Sequence, residues 1–178
     1  MNIEESKIKD VKIIHQFRAD DARGSFVKTF HHTSLKQNGI DFELKESFYS
    51  ISTQDVIRGM HFHHPPFDHD KIVFCANGSI LDLALDLRKN SPTFGRAVST
   101  ELSFDNHKAL YIPKGFAHGF LTLSKSATTF YFVSGEYNKD ADDGVRYDSF
   151  DFDWGIKTPI MSDRDLSFHA LKDFKSPF

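Results

Sequence analysis

A chain of 178 residues has the length of one domain, and a formal net charge of −3 without any long basic run argues against nucleic-acid binding. The single cysteine, Cys75, excludes an intrachain disulfide and, within its apolar run, is expected to be buried. No apolar stretch is long enough to span a bilayer, and the first residues carry no secretory signal pattern. We therefore expect one soluble, cytoplasmic domain over residues 1–178, with neither a nucleic acid nor a membrane as its partner.

Short runs of alternating apolar and polar residues, separated by turn residues, predict strands in the first third of the chain. The 19 phenylalanines, against 1 tryptophan and 3 methionines, favour such pleated surfaces. In one run Phe26 and Phe30 share a face. The predicted elements are strands at 11–17, 25–30 and 41–52, a turn at 19–24, and a helical turn at 31–39 that ends at Asn38-Gly39.

The segment 68–88 predicts a β-hairpin whose turn is Asn77-Gly78. In its second arm, alternate residues form a leucine face that includes Leu83 and an acidic face that includes Asp82. We expect the leucine face to lie in the core. The acidic face points either to solvent or into a polar cavity.

The second half of the chain predicts four more strands, at 96–103, 109–112, 118–124 and 127–135. Their spacing of about ten residues is typical of a β-sandwich or a closed barrel. No helical periodicity is long enough for a βαβ unit. After residue 138 the chain becomes acidic and aromatic, and we expect an ordered loop or a short helix folded over the barrel. The sequence therefore predicts an all-β fold.

Histidines are concentrated in one short stretch, where four of them fall within residues 61–69. His61 and His63 would share a face if this stretch is a strand. Fixed charges flank the cluster, with Arg58 before it and Lys71 after it. A further histidine, His118, stands between the small residues Ala117 and Gly119, which let a ligand or backbone approach closely. These residues are the first candidates for a chemical site.

Two chemistries remain open for these histidines. An His-x-His pair with a third histidine, and with Asp68 or Asp70, would suit Zn, Fe or Mn. Alternatively, a histidine near neutral pKa removes an acidic C–H proton without a metal, with a carboxylate to orient it and a cation to stabilise the enolate. Lys71 and Arg58 favour the metal-free alternative, because fixed cations oppose the charge of a metal ion.

Six stretches of the chain, in order, carry a family pattern: DDARGSFVKTF, SISTQDVIRGMHFH, KIVFCANGSILDLALDLRKNSPTFG, YIPKGFAHGFLTLS, SGEYNKDADDGVRYD and PIMSDRD. With them the sequence resembles the dTDP-4-dehydrorhamnose 3,5-epimerase family over nearly its whole length. The resemblance implies a cupin-type jelly roll without metal or cofactor and a homodimer that exchanges N-terminal strands. It also implies inversion of C3, C5 or both in a nucleotide-linked 4-keto-6-deoxy sugar, in deoxysugar synthesis for a surface polysaccharide.

The resemblance also implies catalytic roles for four residues. His61 matches the base, and Asp165 matches the carboxylate that pairs with it. Lys71 matches the residue beside the enolate oxygen, and Tyr137 matches the acid that returns a proton to the opposite face of the sugar. The protons at C3 and C5 are both α to the C4 ketone, so one base and one enolate site serve both carbons.

Further residues match binding positions of the family. Arg23 and Arg58 match residues that grip the diphosphate, for which a planar guanidinium is suited. Phe26 matches an aromatic residue that packs on the nucleobase, and Arg23 and Phe26 are expected to act across the dimer interface. His118 matches a histidine near the sugar, and Asp82 an acidic residue inside the barrel that orients a neighbouring histidine.

Four residues depart from the family pattern where ligand binding is expected. Lys28 replaces a usual Glu, Glu46 a usual Gln, Phe48 a usual Asn and His63 a usual Gln. The nucleotide is dTDP by default, with CDP or GDP as alternatives. An ammonium at Lys28 would suit the acceptors of cytosine if it faces the base, and it would do nothing if it points outward. His63 is expected to alter sugar choice rather than to add a base.

Three rival functions remain open at this stage. A nucleotide-sugar 3,4-ketoisomerase would also move a proton next to a ketone, but a tyrosine on the opposite face argues against it. A metal-dependent cupin enzyme is the second alternative. A sugar-sensing cupin without catalysis is the third, and the matched acid and base argue against it.

Overall fold

The computed structural model describes residues 1–178, which form thirteen strands, two short α-helices and one 3₁₀ turn. Neither helix is long or apolar enough to cross a membrane. The strands are β1 Asn2–Glu5, β2 Lys12–His15, β3 Phe17–Asp21, β4 Gly24–Lys28, β5 Glu46–Thr53, β6 Ile57–His63, β7 Lys71–Asn77, β8 Ser79–Asp86, β9 Ala97–Ser103, β10 Lys108–Ile112, β11 Phe116–Thr122, β12 Ser126–Val133 and β13 Asp142–Gly144. The helices are α1 His32–Gln37 and α2 Asp163–Leu166, and the 3₁₀ turn is Leu171–Asp173.

Two antiparallel sheets face each other across the core. The first has the strand order β1-β2-β10-β7-β12-β5, and the second has the order β13-β6-β11-β8-β9. The hairpin β3–β4 forms a separate two-stranded sheet. Neighbouring strands in the two large sheets are mostly distant in sequence, as in a jelly roll, because the chain passes repeatedly from one sheet to the other. The all-β, cupin-type jelly roll is thereby confirmed.

Apolar side chains from both sheets meet between them and form the main core. Val73 and Leu110 contribute from the first sheet, and Ile80 and Phe120 from the second, and all four are buried. Alternation along each strand sends every second residue into this interior. The four strands predicted in the second half of the chain are confirmed within about two residues. Cys75 is buried in the same core, as expected.

The predicted hairpin at 68–88 is wrong, although its two strands exist. β7 and β8 lie in different sheets and do not pair with each other. Gly78 alone joins them, with a φ of +75°, and a Cβ atom there would lie 2.1 Å from the Ser126 carbonyl oxygen. The Asn-Gly turn signal is therefore real, but the turn passes the chain from one sheet to the other.

Both faces of β8 are buried, and each belongs to a different core. The face of Ile80, Asp82 and Ala84 points between the two sheets. The leucine face packs on the outside of its sheet, where the C-terminal segment covers it with aromatic residues including Trp154 and Phe178. The expectation of a buried leucine face is confirmed, and so is the ordered tail folded over the barrel. Of the two alternatives for the acidic face, the interior is correct.

Three boundaries near the N-terminus differ from the prediction. Residues 19–21 belong to strand β3, because the turn of the β3–β4 hairpin needs only Ala22 and Arg23. The predicted strand 11–17 is divided between β2 and β3. The predicted strand 41–52 begins only at Glu46, since the preceding segment instead buries Phe42 in a separate apolar cluster. The helical turn α1 is confirmed.

Candidate active site

A cavity of about 350 Å³ opens between the two sheets. Its size is within the usual range of small-molecule sites. Strands β5, β6, β7, β11 and β12 and the segments that follow β12 provide its walls. The lining side chains are Glu46, Phe48, Ser50, Arg58, His61, His63, His69, Lys71, His118, Phe120, Tyr131, Val133, Tyr137, Asp142 and Arg164.

His61 and Asp165 form a hydrogen-bonded pair, with 2.9 Å between His61 Nε2 and Asp165 Oδ1. The other carboxylate oxygen accepts from the Gly59 backbone N–H at 3.0 Å. Burial favours the neutral form of Asp165, which is only 4% exposed, but the bonds from His61, Gly59 and Ser162 outweigh it and lower the pKa of the carboxyl. The pair is therefore an ionised carboxylate that orients an imidazole at the cavity wall.

The local backbone places both members of this pair. On β6 a Cβ atom at Gly59 would lie 2.6 Å from the Gly119 Cα atom, so only glycine allows β6 and β11 to approach this closely. Ser162 caps α2 by accepting from the Asp165 backbone N–H at 3.1 Å. The short helix thus presents Asp165 to His61 across 104 residues of sequence.

Lys71 begins β7 and reaches the same wall. Its Nζ atom donates to the His61 carbonyl oxygen at 3.3 Å. Burial lowers the pKa of Lys71 to about 8, while the charges of Asp142 and Asp82 favour its protonated form. A cation is thus held beside His61, in partly water-excluded surroundings.

His118 faces a second buried carboxylate, with 2.7 Å between His118 Nε2 and Asp82 Oδ1. Asp82 Oδ2 has no hydrogen-bond partner. Burial raises the pKa of Asp82, and the contacts with His118 and the charge of Lys71 oppose this rise. Asp82 therefore orients His118, as the resemblance implies.

The polar side chains of the cavity form two layers. In the inner layer, His61 and His118 are cross-strand partners, and the Tyr131 ring lies 5.8 Å from that of His118. In the outer layer, the His63 ring lies 4.7 Å from His69 and 5.7 Å from Tyr137. Tyr131 is 8% exposed and Tyr137 is 60% exposed, so the second layer is at the mouth.

Residues at the rim contact both layers of the cavity. Glu46 Oε2 accepts from the Tyr137 backbone N–H at 2.9 Å, and Phe48 stacks on Tyr131 with 4.6 Å between ring centroids. Arg58 donates to Ser52 Oγ at 2.9 Å and keeps part of its guanidinium available to the cavity. The structure thus gathers nine of the twelve predicted site residues around one cavity: His61, Tyr137, Asp165, Lys71, Glu46, Phe48, Arg58, His63 and His118.

The other three predicted site residues lie elsewhere. Arg23, Phe26 and Lys28 are on the β3–β4 hairpin, and none of them lines the cavity of its own chain. The Arg23 side chain is 90% exposed and pairs only with Asp21, and Phe26 is 59% exposed. Lys28 Nζ lies 5.9 Å from the centroid of the Phe17 ring. Within one chain, these residues do not line the cavity that holds His61.

Several cavity residues were not among the predicted site residues. Tyr131 belongs to an aromatic strand that reads as core in sequence, and no local signal separates it from its neighbours. Asp142 accepts from Arg164 at 2.9 Å and from the Tyr137 hydroxyl at 3.4 Å. The charged residues Asp142 and Arg164 both lie in the part of the chain after residue 138. His69 belongs to the cluster of four histidines within residues 61–69, and the density of that cluster is the sequence signal that could have identified it.

The histidines do not converge on a common point. His61 pairs with Asp165, and His64 pairs with Asp143 on the other side of β6. No group of three or more His, Cys, Asp or Glu side chains is arranged to hold a metal ion. A metal-free site stays a prediction, which chelation tests.

The comparisons with known proteins agree with one another. The family model described as dTDP-4-dehydrorhamnose 3,5-epimerase matches residues 5–173. A dTDP-4-dehydrorhamnose 3,5-epimerase of Shigella flexneri is 36% identical over 176 residues, which are 97% of each chain.

Two solved structures are informative. The dTDP-6-deoxy-D-glucose-3,5-epimerase RmlC of Legionella pneumophila Philadelphia 1, in complex with dTDP-4-keto-L-rhamnose, has a TM-score of 0.93, with 31% identity and coverage of 98% of this chain and 94% of that one. ChmJ, a 3'-monoepimerase of Streptomyces bikiniensis in complex with dTDP-quinovose, has a TM-score of 0.87, with 27% identity and coverage of 94% and 87%.

Proposed function

The chain belongs to the dTDP-4-dehydrorhamnose 3,5-epimerase family of isomerases, and we propose that it inverts C3, C5 or both of a dTDP-linked 4-keto-6-deoxy sugar. The observation that carries this proposal is the His61–Asp165 hydrogen bond at a cavity that also holds Lys71. Relatives of the same fold are described with dTDP-4-keto-L-rhamnose and dTDP-quinovose bound. These ligands support a dTDP-linked sugar as the substrate class.

His61 is proposed as the base that removes the proton next to the ketone. Asp165 stays ionised and accepts from His61 Nε2, which leaves Nδ1 as the nitrogen that takes up a proton. The carboxylate also stabilises the imidazolium that forms on proton transfer. Because both C3–H and C5–H lie next to the C4 ketone, the same imidazole serves either carbon.

Lys71 is proposed to stabilise the enolate oxygen. Its ammonium lies against the His61 backbone, so cation and base reach the same part of the substrate. Negative charge develops on the C4 oxygen as the proton leaves, and a fixed cation in a site shielded from water stabilises that charge strongly. Asp142 and Asp82 favour the protonated form of Lys71 that this role requires.

Inversion needs a proton donor on the face of the sugar opposite to His61, and the cavity offers two phenols. Tyr137 is the donor that the sequence pattern predicts. Tyr131 lies in the inner layer with His61 and His118, on strand β12 of the facing sheet, and burial raises the pKa of its phenol so that it stays protonated. The layer arrangement favours Tyr131, and Tyr137 remains the alternative.

The exposed β3–β4 hairpin is proposed to complete the site of a second copy of the chain. Arg23 and Phe26 do not line their own cavity, and Phe17 and Phe26 expose apolar surface that a partner would cover. A homodimer would bring a guanidinium for the diphosphate and a ring for the base to the neighbouring cavity. The proposed setting is deoxysugar synthesis for a surface polysaccharide.

Incubation with dTDP-4-keto-6-deoxyglucose after chelator treatment tests the proposed function. Chemical analysis of the product is expected to show a C4 ketone with changed configuration at C3, C5 or both, at a rate that chelation does not alter. A ketone moved to C3 would support a 3,4-ketoisomerase instead. Activity that disappears on chelation and returns with added metal would support a metal-dependent cupin enzyme.

The nucleotide preference has its own test because Lys28 carries a charge on the hairpin. If Lys28 faces the base in a homodimer, its ammonium would serve the acceptor atoms of cytosine. Competition binding of CDP, dTDP and GDP decides this, with Lys28→Glu as the matched variant. A CDP preference that Lys28→Glu reverses supports the cytosine hypothesis, and equal or dTDP-preferring binding overturns it.

A further inference from the structure

The loop after β12, residues 134–138, carries Tyr137 and rests on two partly buried imidazoles, those of His63 and His69. The Asn138 backbone N–H donates to His63 Nε2 at 3.5 Å, and the Tyr137 ring meets the His63 ring edge-on at 5.7 Å. Gly135 lies against His69, where a Cβ atom would come within 2.8 Å of the His69 Cβ atom and 2.9 Å of its Nδ1 atom. The two histidines therefore support both ends of the loop.

The hydrogen bonds define the tautomers of this pair. His69 Nδ1 donates to the Phe67 carbonyl oxygen at 3.0 Å, so its proton is on Nδ1. His63 accepts through Nε2, so its proton is on Nδ1, which is buried without a partner. Both rings are neutral in this arrangement. A proton added to His63 Nε2 would turn this atom into a donor. It would then face the Asn138 backbone N–H, which is also a donor, and the hydrogen bond would be lost.

Two further hydrogen bonds hold the loop, and neither of them involves an imidazole. The Ser134 backbone N–H donates to the Asp70 carbonyl oxygen at 3.0 Å, and the Tyr137 N–H donates to Glu46 at 2.9 Å. The imidazole pair adds the contacts at Gly135 and at the Asn138 N–H. Residues 135–138 are the part of the loop that forms the cavity mouth beside Tyr137.

We propose that His63 and His69 are positioning residues that hold residues 134–138, with Tyr137, at the mouth of the cavity, and that protonation of His63 releases this segment. The contacts exist without substrate, and only their consequence for catalysis rests on the proposed function. The pair acts on how well substrate is held at the mouth, while His61 in the inner layer removes the proton. Opening of the loop therefore raises KM more than it lowers kcat.

Burial and the nearby cations oppose protonation of the pair, whereas Asp142 and Glu46 favour it at His63. Burial is the largest cause that lowers the pKa of His63 below 6.5, and Lys71 is the next. Burial and Lys71 also lower the pKa of His69 to about 4. The groups that face His63 are Lys71 on β7, Arg164 on α2, Asp142 on β13 and Glu46 on β5; those that face His69 are Lys71, Lys114 and His63.

The direction of the pH effect follows from this. An imidazole in the open loop titrates near 6.5, whereas in the closed loop it binds a proton less readily. As pH falls below 6.5 the open form takes up protons first, so the closed loop loses stability until the lowered pKa is passed. The loop is thus closed at neutral pH and opens under acidic conditions.

Hydrogen–deuterium exchange of the full chain without substrate tests the proposal. Protection of residues 134–138, corrected for the intrinsic pH dependence of exchange, is measured at about pH 7.5 and about pH 5, on either side of the imidazole range. In the wild type it is expected to fall by up to about tenfold for each pH unit below 6.5. His63→Gln offers an amide oxygen to Asn138 and cannot titrate, so protection should stay high at both pH values.

Two further variants separate a positioning role from a merely structural one. His63→Leu should lose protection of the loop at both pH values and raise KM at each. His64→Gln, on the other side of the strand end, should follow the wild type. Equal wild-type protection at both pH values, or the same acid-dependent loss in His63→Gln, would overturn the proposal. Since exchange is measured without substrate, the protection outcomes are independent of the proposed activity, and only the KM values rest on it.

Discussion

His61 and His118 lie directly opposite each other on β6 and β11, yet each imidazole is paired with a different carboxylate. His61 bonds to Asp165 from the C-terminal segment, and His118 bonds to Asp82 from the interior of β8. Both histidines line the cavity, but His61 is partly exposed there, whereas His118 and its carboxylate partner are both buried. This difference predicts different consequences when each carboxylate is changed.

Asp165→Asn is expected to reduce turnover strongly while leaving the fold intact. An amide can donate to His61 Nε2 and so favours the wrong tautomer, and it cannot stabilise the imidazolium. The expected loss is about 10²–10⁴-fold in kcat. Steady-state kinetics measure it, and circular dichroism serves as the control for folding. If Asp165→Asn kept nearly the full kcat, this result would contradict the proposed role of Asp165.

Asp82→Ala is expected to act mainly on stability. The substitution leaves the buried His118 imidazole without its acceptor, and breaking a buried pair from one side costs about 3–5 kcal/mol. Urea unfolding at neutral pH measures this cost. Asp82→Asn is the matched control, because its amide oxygen can still accept from His118, and its loss should be clearly smaller. Equal stability of the wild type and Asp82→Ala would contradict the assignment.

The rate is expected to fall above pH 8 because of Lys71. Its pKa is lowered to about 8, so the ammonium is present below that pH and is lost as the pH rises through it. Since only the charged form stabilises the enolate, kcat/KM should fall about tenfold per pH unit on the alkaline side. Lys71→Arg keeps its charge at alkaline pH. Its kcat/KM should therefore not fall above pH 8, even if the value is lower than that of the wild type. An alkaline limb that persists unchanged in Lys71→Arg would assign it to another group.

The two tyrosines are distinguished by proton exchange without inversion. In Tyr131→Phe, His61 should still remove and return protons on its own face, so deuterium enters from solvent while the configuration is retained. Inversion should fall by about 10²-fold or more. Tyr137→Phe should keep inversion and change mainly KM, because Tyr137 lies at the mouth. The reverse pattern would restore Tyr137 as the returning acid.

Much of the fold follows from local patterns, and the errors have one physical cause. Short apolar runs separated by turn residues identify β9 to β12, although β11 is buried along its whole length. The same pattern does not say which strands pair, and β7 and β8 were therefore predicted as a hairpin although Gly78 carries the chain between sheets. Pairing is decided by contacts that are distant in sequence.

In the site, too, local patterns identify some residues, whereas others depend on contacts between residues that are distant in sequence. The density of histidines points to His61 and its neighbours, but Asp165 is 104 residues away and was assigned by resemblance alone. The separation of inner and outer layers depends on how β6, β11 and β12 face each other, which no local motif encodes. For that reason Tyr131 reads as an ordinary core residue in sequence, and Tyr137 is the only proton donor that the resemblance supplies.

Proton exchange at the substrate tests the central claim most directly. The C3 and C5 protons of dTDP-4-keto-6-deoxyglucose are followed by NMR in D₂O, with the wild type and with His61→Asn at equal concentration. At least one of the two signals is expected to be lost with the wild type, and both are expected to persist with His61→Asn. Loss of the same signals with His61→Asn, or their persistence with the folded wild type, would contradict the claim.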